Sequence, residues 1–253
     1  MRLGVIADIH GNLPALEAVM ARIAELSLDL VVNLGDCASG PLWPRETTRL
    51  LRESAFQHVR GNHDRALGAT SAAGLGRSDG FAWQELTPDD RAWLAGLPFS
   101  LTLSGALCIH ASPASDEAYL IDTVSSAQLI AASHAEIAVR LQSMAPGLVL
   151  CGHSHQPRVV RLDSGTLIVN PGSVGCPAYE DPEPPAHVSE SGSPHARFAV
   201  VTIADDTMAV EHHAITYDWA CAARRACDNG RPDWAHALLT GTTLKRPAAD
   251  ERA

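Results

Sequence analysis

The chain alternates short apolar runs with amphipathic stretches, and several runs stop abruptly at a polar cluster. Residues 3–7 form the first run and read as a buried strand. The turn His10-Gly11-Asn12 follows, after which Leu13, Leu16, Val19, Met20 and Ile23 recur on one helical face. Asn12 is suited to cap that helix, and Pro14 is tolerated in its first turn. Residues 29–34 supply a second strand, so the chain opens as strand–helix–strand, the pattern of a parallel sheet. A helix is expected over 44–53 and a third short strand over 56–60.

The pattern then changes. Residues 68–80 are rich in Gly, Ala and Ser and read as a flexible loop. Thr87-Pro88 marks a helix start, so 66–97 is expected to be a helical excursion over one edge of the sheet. Residues 101–110 suggest two strands joined around Ser104-Gly105, and 125–144 a helical region broken near Ser133-His134. A short strand is expected over 148–151, then a hairpin pairing 158–162 with 166–170. Residues 170–175 must form a tight loop, and the Pro-, Ser- and acid-rich stretch 182–194 reads as an exposed lid. A second hairpin pairs 198–203 with 208–213 around 205–206. Helices are expected over 218–227 and near 234–239, and a disordered tail over 245–253. No internal repeat or second domain is visible, so 1–244 reads as one α/β domain.

Composition narrows the possibilities. At 253 residues and 46% hydrophobic content, the chain can bury a sizeable core. The net charge of −10, from 29 acidic against 19 basic residues, counts against nucleic acid as a partner, which needs a basic surface. The basic-then-apolar start resembles a signal peptide, but its run is too short and meets Asp8 at once. No run approaches the roughly 18 residues of a membrane span. The six cysteines, at 37, 108, 151, 176, 221 and 227, form no Cys-x-x-Cys pair, which points to a reduced, cytoplasmic location. Cys37, Cys108 and Cys151 neighbour the polar clusters, yet small buried Cys is the commoner role than thiolate ligand.

Five clusters end predicted strands: Asp8-Ile9-His10, Gly35-Asp36, Gly61-Asn62-His63-Asp64, Ile109-His110 and Gly152-His153-Ser154-His155. Alone, each is ordinary, since Asp-x-His is commonly a surface turn and His-Ser-His a solvated loop. Together they place carboxylates and imidazoles where open α/β sheets hold ligands, at the carboxyl ends of strands. Two divalent ions about 3.5–4 Å apart can clamp a phosphate and activate a water. Such a pair needs a bridging carboxylate, for which Asp36 is the candidate, and neutral imidazoles and oxygens around it.

The order of these motifs resembles the calcineurin-like metallophosphoesterases, and Asn170-Pro171-Gly172-Ser173 extends the likeness towards small bacterial and archaeal phosphodiesterases. The resemblance implies a four-layer αββα sandwich and two ions, with manganese, iron or zinc expected. One ion would be held by Asp8, His10, Asp36 and His155, the other by Asp36, Asn62, His110 and His153. His63 would then be the general acid that protonates the leaving oxygen after attack by a hydroxide lying between the ions. Asp64 is placed to orient His63 or, as a sequence neighbour, to point away. Arg65 and Asn12 are the candidate substrate contacts.

The likeness has departures. Serine/threonine phosphatases of this superfamily carry Gly-Asp-x-Val-Asp-Arg-Gly, whereas this chain reads Gly35-Asp36-Cys37-Ala38-Ser39-Gly40 and lacks the phosphate-gripping arginine. The expected activity is hydrolysis of a small phosphoester, a diester before a monoester. A nuclease and a protein-binding scaffold of the same fold are the competing readings. The acidic balance argues against the first, and the complete set of candidate ligands with His63 against the second.

Overall fold

The computed structural model describes residues 1–142, 144, 146–205 and 207–244. The opening unit is β1 (Arg2–Ile6), α1 (Leu13–Ala24) and β2 (Leu30–Asn33), followed by α2 (Pro44–Glu53) and β3 (Gln57–His58). Three helices come next, α3 (Asn62–Leu67), α4 (Arg77–Glu85) and α5 (Pro88–Gly96). A hairpin of β4 (Ser100–Leu103) and β5 (Ala106–Ile109) leads to a second, β6 (Asp122–Ser125) with β7 (Gln128–Ala131), then α6 (His134–Arg140). Strands β8 (Leu148–Leu150), β9 (Arg158–Arg161), β10 (Leu167–Asn170), β11 (Ala178–Asp181), β12 (His187–Glu190), β13 (Ala196–Ala204) and β14 (Thr207–Ile215) precede the closing helices α7 (Trp219–Asp228) and α8 (Pro232–Thr240).

Two five-stranded sheets form the centre. The first has the order β14-β13-β1-β2-β3, with β1, β2 and β3 parallel and β13 antiparallel to β1. The second has the order β4-β5-β8-β10-β9, with β5, β8 and β10 parallel and antiparallel strands at both edges. Strand alternation decides what each face buries. Leu3, Val5, Val32 and Val201 of the first sheet pack against Cys108, Leu148, Leu150 and Val169 of the second, a dry core between the sheets. Ile6, Val31, Phe198 and Val200 point the other way, onto Leu16, Val19, Leu51 and Ala222 of the helices. The outer face of the second sheet, with Ile109, Val149 and Ile168, is covered by Ile121, Ile137 and Leu141. The result is the expected four-layer α/β sandwich, its fourth layer made of α6 and the β6–β7 hairpin.

Two elements differ from the sequence reading. Residues 122–131 form a hairpin where a helix was expected from 125, and only α6 is helical. The turn at Ser126-Ala127 holds both residues at positive φ (50° and 58°) without Gly or Asn, so it carried no turn signal. The stretch 182–194 is not simply a lid. It contains β12, which pairs with β11 and β7 in a third sheet of order β11-β12-β7-β6. Its alternation was hidden because the inward residues, His187 and Ser189, are polar. The 68–80 loop also ends early, since α4 begins at Arg77. Residue 206 of the second hairpin turn and the tail 245–253 lie outside the described residues.

Candidate metal centre

All five clusters follow the carboxyl ends of β1, β2, β3, β5 and β8, four on loops and Asn62-His63-Asp64 in the first turn of α3. The loops stay bonded to one another beyond the strands: Asp8 N–H donates to the Gly35 carbonyl (3.0 Å), His10 N–H to Asp36 (2.9 Å) and Gly152 N–H to His110 (2.7 Å). Asp8, His10, Asp36, His153 and His155 all have φ between 51° and 68°. That left-handed backbone costs energy for residues with a Cβ, and such strain concentrates at functional sites. Gly35 has φ of 103°, and a Cβ there would strike the backbone of Gly61. The glycine lets the Asp36 and Asn62 loops meet.

Two sets of ligand atoms result. Asp8, His10 and His155 form one, Asp36, His110 and His153 the other, and within each set the atoms lie within 4.8 Å of one another. Asp36 stands between them, with Oδ2 3.8 Å from His10 Nε2 and 3.3 Å from His110 Nε2. The Asn62 amide oxygen is 3.1 Å from His110 Nε2, on the second set. The first set also closes onto itself, with His155 Nε2 3.6 Å from Asp8 Oδ1 and 3.2 Å from His10 Nε2. Backbone carbonyls orient the rings. His10, His110 and His155 each donate Nδ1–H, to Ser39, Leu34 and Cys176 at 2.7–2.8 Å, which turns Nε2 towards the ligand sets. His153 is reversed, donating Nε2–H to the Glu117 carbonyl (2.8 Å), so Nδ1 is its ligand atom.

The electrostatics suit a cation. Burial pushes Asp8 up to about 8. It also pulls His10 down to about 4 and, with the charge of His110, His153 to about 3. Burial and the nearby His10 hold His155 well below the ordinary histidine value. These three imidazoles are therefore neutral, as ligands must be. Burial opposes ionisation of Asp36, but His110, His63 and His10 outweigh it and keep the carboxylate ionised well below its usual range. Burial likewise opposes a charge on His110, yet Asp36 and Asp8 raise it to about 9. Two carboxylates, an amide oxygen and four imidazoles converging in a buried cleft are a donor set that fits two divalent ions.

His63 belongs to neither set. Its backbone N–H donates to Asp36 Oδ1 (3.0 Å), and its ring lies 5.5 Å from that of His10. Its Nδ1–H donates to Asp79 Oδ1 at 2.8 Å, on α4. Burial works against the charged ring, but Asp36 and Asp79 raise it to about 10. Asp64 does not orient His63. Its carboxylate accepts the backbone N–H groups of Asp36 (2.8 Å), Cys37 (2.9 Å) and Gly61 (2.9 Å). Nor is Arg65 a free phosphate clamp, because Asp116 takes its Nε and Nη2 (2.8 and 3.1 Å) and Glu117 its Nη2 (2.7 Å). Asn12 is a fully buried cap: its oxygen accepts from Ala15 N–H, and its amide donates to the Gly175 carbonyl and the Tyr217 hydroxyl. No polar atom of Asn12 remains for substrate.

Sequence reasoning missed three residues. Asp79 fell in the presumed loop, and no spacing links it to His63. Tyr119 stacks on His153 with ring centroids 4.9 Å apart, its hydroxyl bonded to Tyr179 (2.6 Å) and His187 (2.8 Å). Trp234 of α8 meets the His10 ring at 6.0 Å. Isolated aromatics carry no motif, so only the fold could bring them here.

A family model described as a calcineurin-like phosphoesterase superfamily domain matches residues 1–193. An uncharacterized protein of Methanocaldococcus jannaschii is 26% identical over 248 residues, covering 92% of this chain and 94% of its own length. Among solved structures, a metallophosphoesterase from Sphaerobacter thermophilus aligns with a TM-score of 0.72 at 24% identity, over 94% of this chain and 98% of that one. A hypothetical protein from Pyrococcus horikoshii gives 0.73 at 20% identity, over 96% and 99%. The two structures share the fold of this chain.

Proposed function

The chain belongs to the calcineurin-like phosphoesterase superfamily, and from that premise we propose that it hydrolyses small phosphodiesters at the paired clusters, with His63 as general acid. The observation that carries the reading is the place of Asp36, whose carboxylate reaches towards both ligand sets at once. Asp8, His10, His155 and Asp36 would hold one ion, and Asp36, Asn62, His110 and His153 the other; manganese, iron and zinc all suit these nitrogen and oxygen donors. Two such ions supply an activated water and neutralise charge on the phosphoryl oxygens.

The protein's own groups then do the rest. Asp79 accepts the Nδ1 proton of His63 and so fixes which nitrogen faces outward, leaving the Nε2 proton to be given to the departing oxygen. Asp36 anchors the same residue through its backbone N–H. A diester is favoured over a monoester by charge. A monoester carries about −1.5 to −2 near neutral pH, as a phosphorylated side chain does, against a single charge on a diester. Arg65 and Arg231 are already paired, the first with Asp116 and Glu117 and the second with Asp233. Neither offers the free bidentate grip a dianion would need. Among the described residues no helix is long and apolar enough to cross a membrane, and all six cysteines are free, which favours a reducing compartment such as the cytoplasm.

Metal analysis of the purified protein should find two ions per chain, falling to one or none in Asp36→Asn with loss of turnover. His63→Ala should retain its metal and lose roughly 10²–10⁴ in kcat on diesters with poor leaving groups. The loss should shrink for acidic leaving groups, which depart without a proton. Full activity of Asp36→Asn with two bound ions would sink the metal assignment. A tenfold preference for aryl monoester over matched diester would sink the substrate class.

A further inference from the structure

Helix α4 carries Asp79, yet little apolar surface holds its first turn in place. The buried residues of the helix are Asp79 and Ala82, and its N-cap is Gly76, which offers no side-chain cap. The turn is tied down from elsewhere, by the loop between α7 and α8. Arg77 Nη2 donates to the Gly230 carbonyl (3.2 Å), and Arg231 Nη1 donates to the Ser78 hydroxyl (2.9 Å). Arg231 is itself clamped in a fork by Asp233 in the first turn of α8, through Nε (3.0 and 3.2 Å) and Nη2 (2.7 Å). Its side chain is only 11% exposed. One residue further along α8, Trp234 lies against His10 and occupies the space beside Gly40, where a Cβ would come within 2.9 Å of the indole.

All of these C-terminal groups lie beyond residue 193, where the family match ends. Arg231 nevertheless bonds Ser78, the residue next to the carboxylate that pairs with His63. We propose that Arg231 is a positioning residue for the general acid: held by Asp233, it fixes Ser78 and hence the register of Asp79 against the His63 ring. The rigid planar fork suits this task, because Asp233 holds two guanidinium nitrogens and aims the third. A general acid displaced by about 1 Å loses much of its effect, since proton transfer needs hydrogen-bond contact with the leaving oxygen. The inference rests on His63 acting as that acid, and its test separates the two.

The metal-loaded enzyme is assayed on two diesters, one with an alkyl and one with a nitrophenyl leaving group, in wild type, His63→Ala, Asp79→Asn, Ser78→Ala and Arg231→Ala. Ser78 is partly exposed at the start of α4, so Ser78→Ala breaks the link without burying a charge or opening a core cavity. Arg231→Ala and Ser78→Ala should each lower kcat on the alkyl ester about tenfold, with less than about twofold change on the nitrophenyl ester and in KM. Arg231→Lys should recover Arg231→Ala only in part, because an ammonium cannot hold Asp233 and Ser78 in one plane. A second readout needs no metal or turnover: the His63 Nδ1 proton, followed by nitrogen-edited NMR of chelated protein. It should be protected from exchange in wild type, lost in Asp79→Asn and markedly less protected in Arg231→Ala and Ser78→Ala.

An equal loss on both esters, or a His63 proton unchanged in both Arg231→Ala and Ser78→Ala, would overturn the proposal. If His63→Ala itself shows no dependence on the leaving group, the general-acid reading fails. The NMR arm still decides whether Arg231 positions the ring.

Discussion

Asp64 illustrates how a carboxylate next to the candidate general acid, His63, can serve the backbone. Its two oxygens collect three N–H groups, from Gly61, Asp36 and Cys37, that no strand satisfies because the chain has turned into the left-handed loop around Asp36. The Asp36 loop is thus held by another carboxylate, through peptide groups. Asp64→Ala would leave three buried donors unpaired, each worth about 1–3 kcal/mol. Urea unfolding of the metal-free variant should show a loss of about 3 kcal/mol or more, accompanied by loss of the ion shared through Asp36. Asp79→Asn, by contrast, should keep its midpoint within about 1 kcal/mol, as its partner is a single half-buried ring. Equal stability of Asp64→Ala and wild type would show that water replaces the carboxylate there.

At the level of elements, what the sequence disclosed depended on whether local chemistry or docking decides the conformation. Helices α1, α2 and α5 carry their own signals, namely Asn12 as cap, proline in the first turn of all three, and the Thr87–Asp90 capping box, and they fall within a residue or two of expectation. The candidate clusters stood out for a similar reason, as each follows a run apolar enough to be buried and ends it with residues that burial would otherwise reject. The β6–β7 hairpin was not, because Val124, Leu129 and Ile130 fit either period and the turn between them uses Ser126 and Ala127. Strand β12 hid behind polar inward residues. Asp79 was out of reach altogether. Its bond to His63 exists only once α4 packs beside α3, with its own start tied to Gly230 and Arg231, residues far away in the chain.

Across the whole molecule, each candidate ligand set draws on both central sheets. Asp8 and His10 leave β1 of the first sheet and meet His155 from β8 of the second; Asp36 leaves β2 and meets His110 and His153 from β5 and β8. The metal-free centre therefore leaves its mark on stability. His110 and His63 rise to about 9 and about 10 in the fold, from the ordinary 6.5. The folded state holds these protons where the unfolded chain has released them, so their contribution is fully present below 6.5 and is lost as pH rises through 9 to 10. Asp8, raised from 3.8 to about 8, loses its contribution between those values, so it completes its loss by pH 8 and partly offsets the acid-side effect below 6.5. On the acid side His10 and His153, lowered to about 4 and about 3, resist protons that the unfolded chain accepts, so stability falls as pH drops below 6.5. Chelated protein should thus melt highest near pH 6.5 and several degrees lower at pH 9.5. Metal-loaded protein should be higher throughout and much flatter on the alkaline side, because an ion takes the place of the His110 proton. Parallel melting curves for the two forms would contradict the assignment of His110 as a ligand.

The division of ligands between sheets is also a division along the chain, with the exposed segment around Ala73 and Gly74 at the boundary. A protease nick there would yield an N-terminal piece with Asp8, His10, Asp36, Asn62 and His63, and a C-terminal piece with Asp79, His110, His153 and His155. Neither piece owns all four ligands of either ion, since the first lacks His155 and the second lacks Asp36 and Asn62, so an ion that needs its full set binds firmly only to the reassembled pair. By mass action, free metal at 100 times its dissociation constant would strengthen the union of the two pieces by about 2.7 kcal/mol per site, close to a hundredfold. The nicked protein would then behave as a two-component reporter of divalent metal. Fragments labelled at their cut ends should associate more tightly as metal is titrated in and loosen when a chelator is added, with Asp36→Asn in the first piece abolishing most of the response.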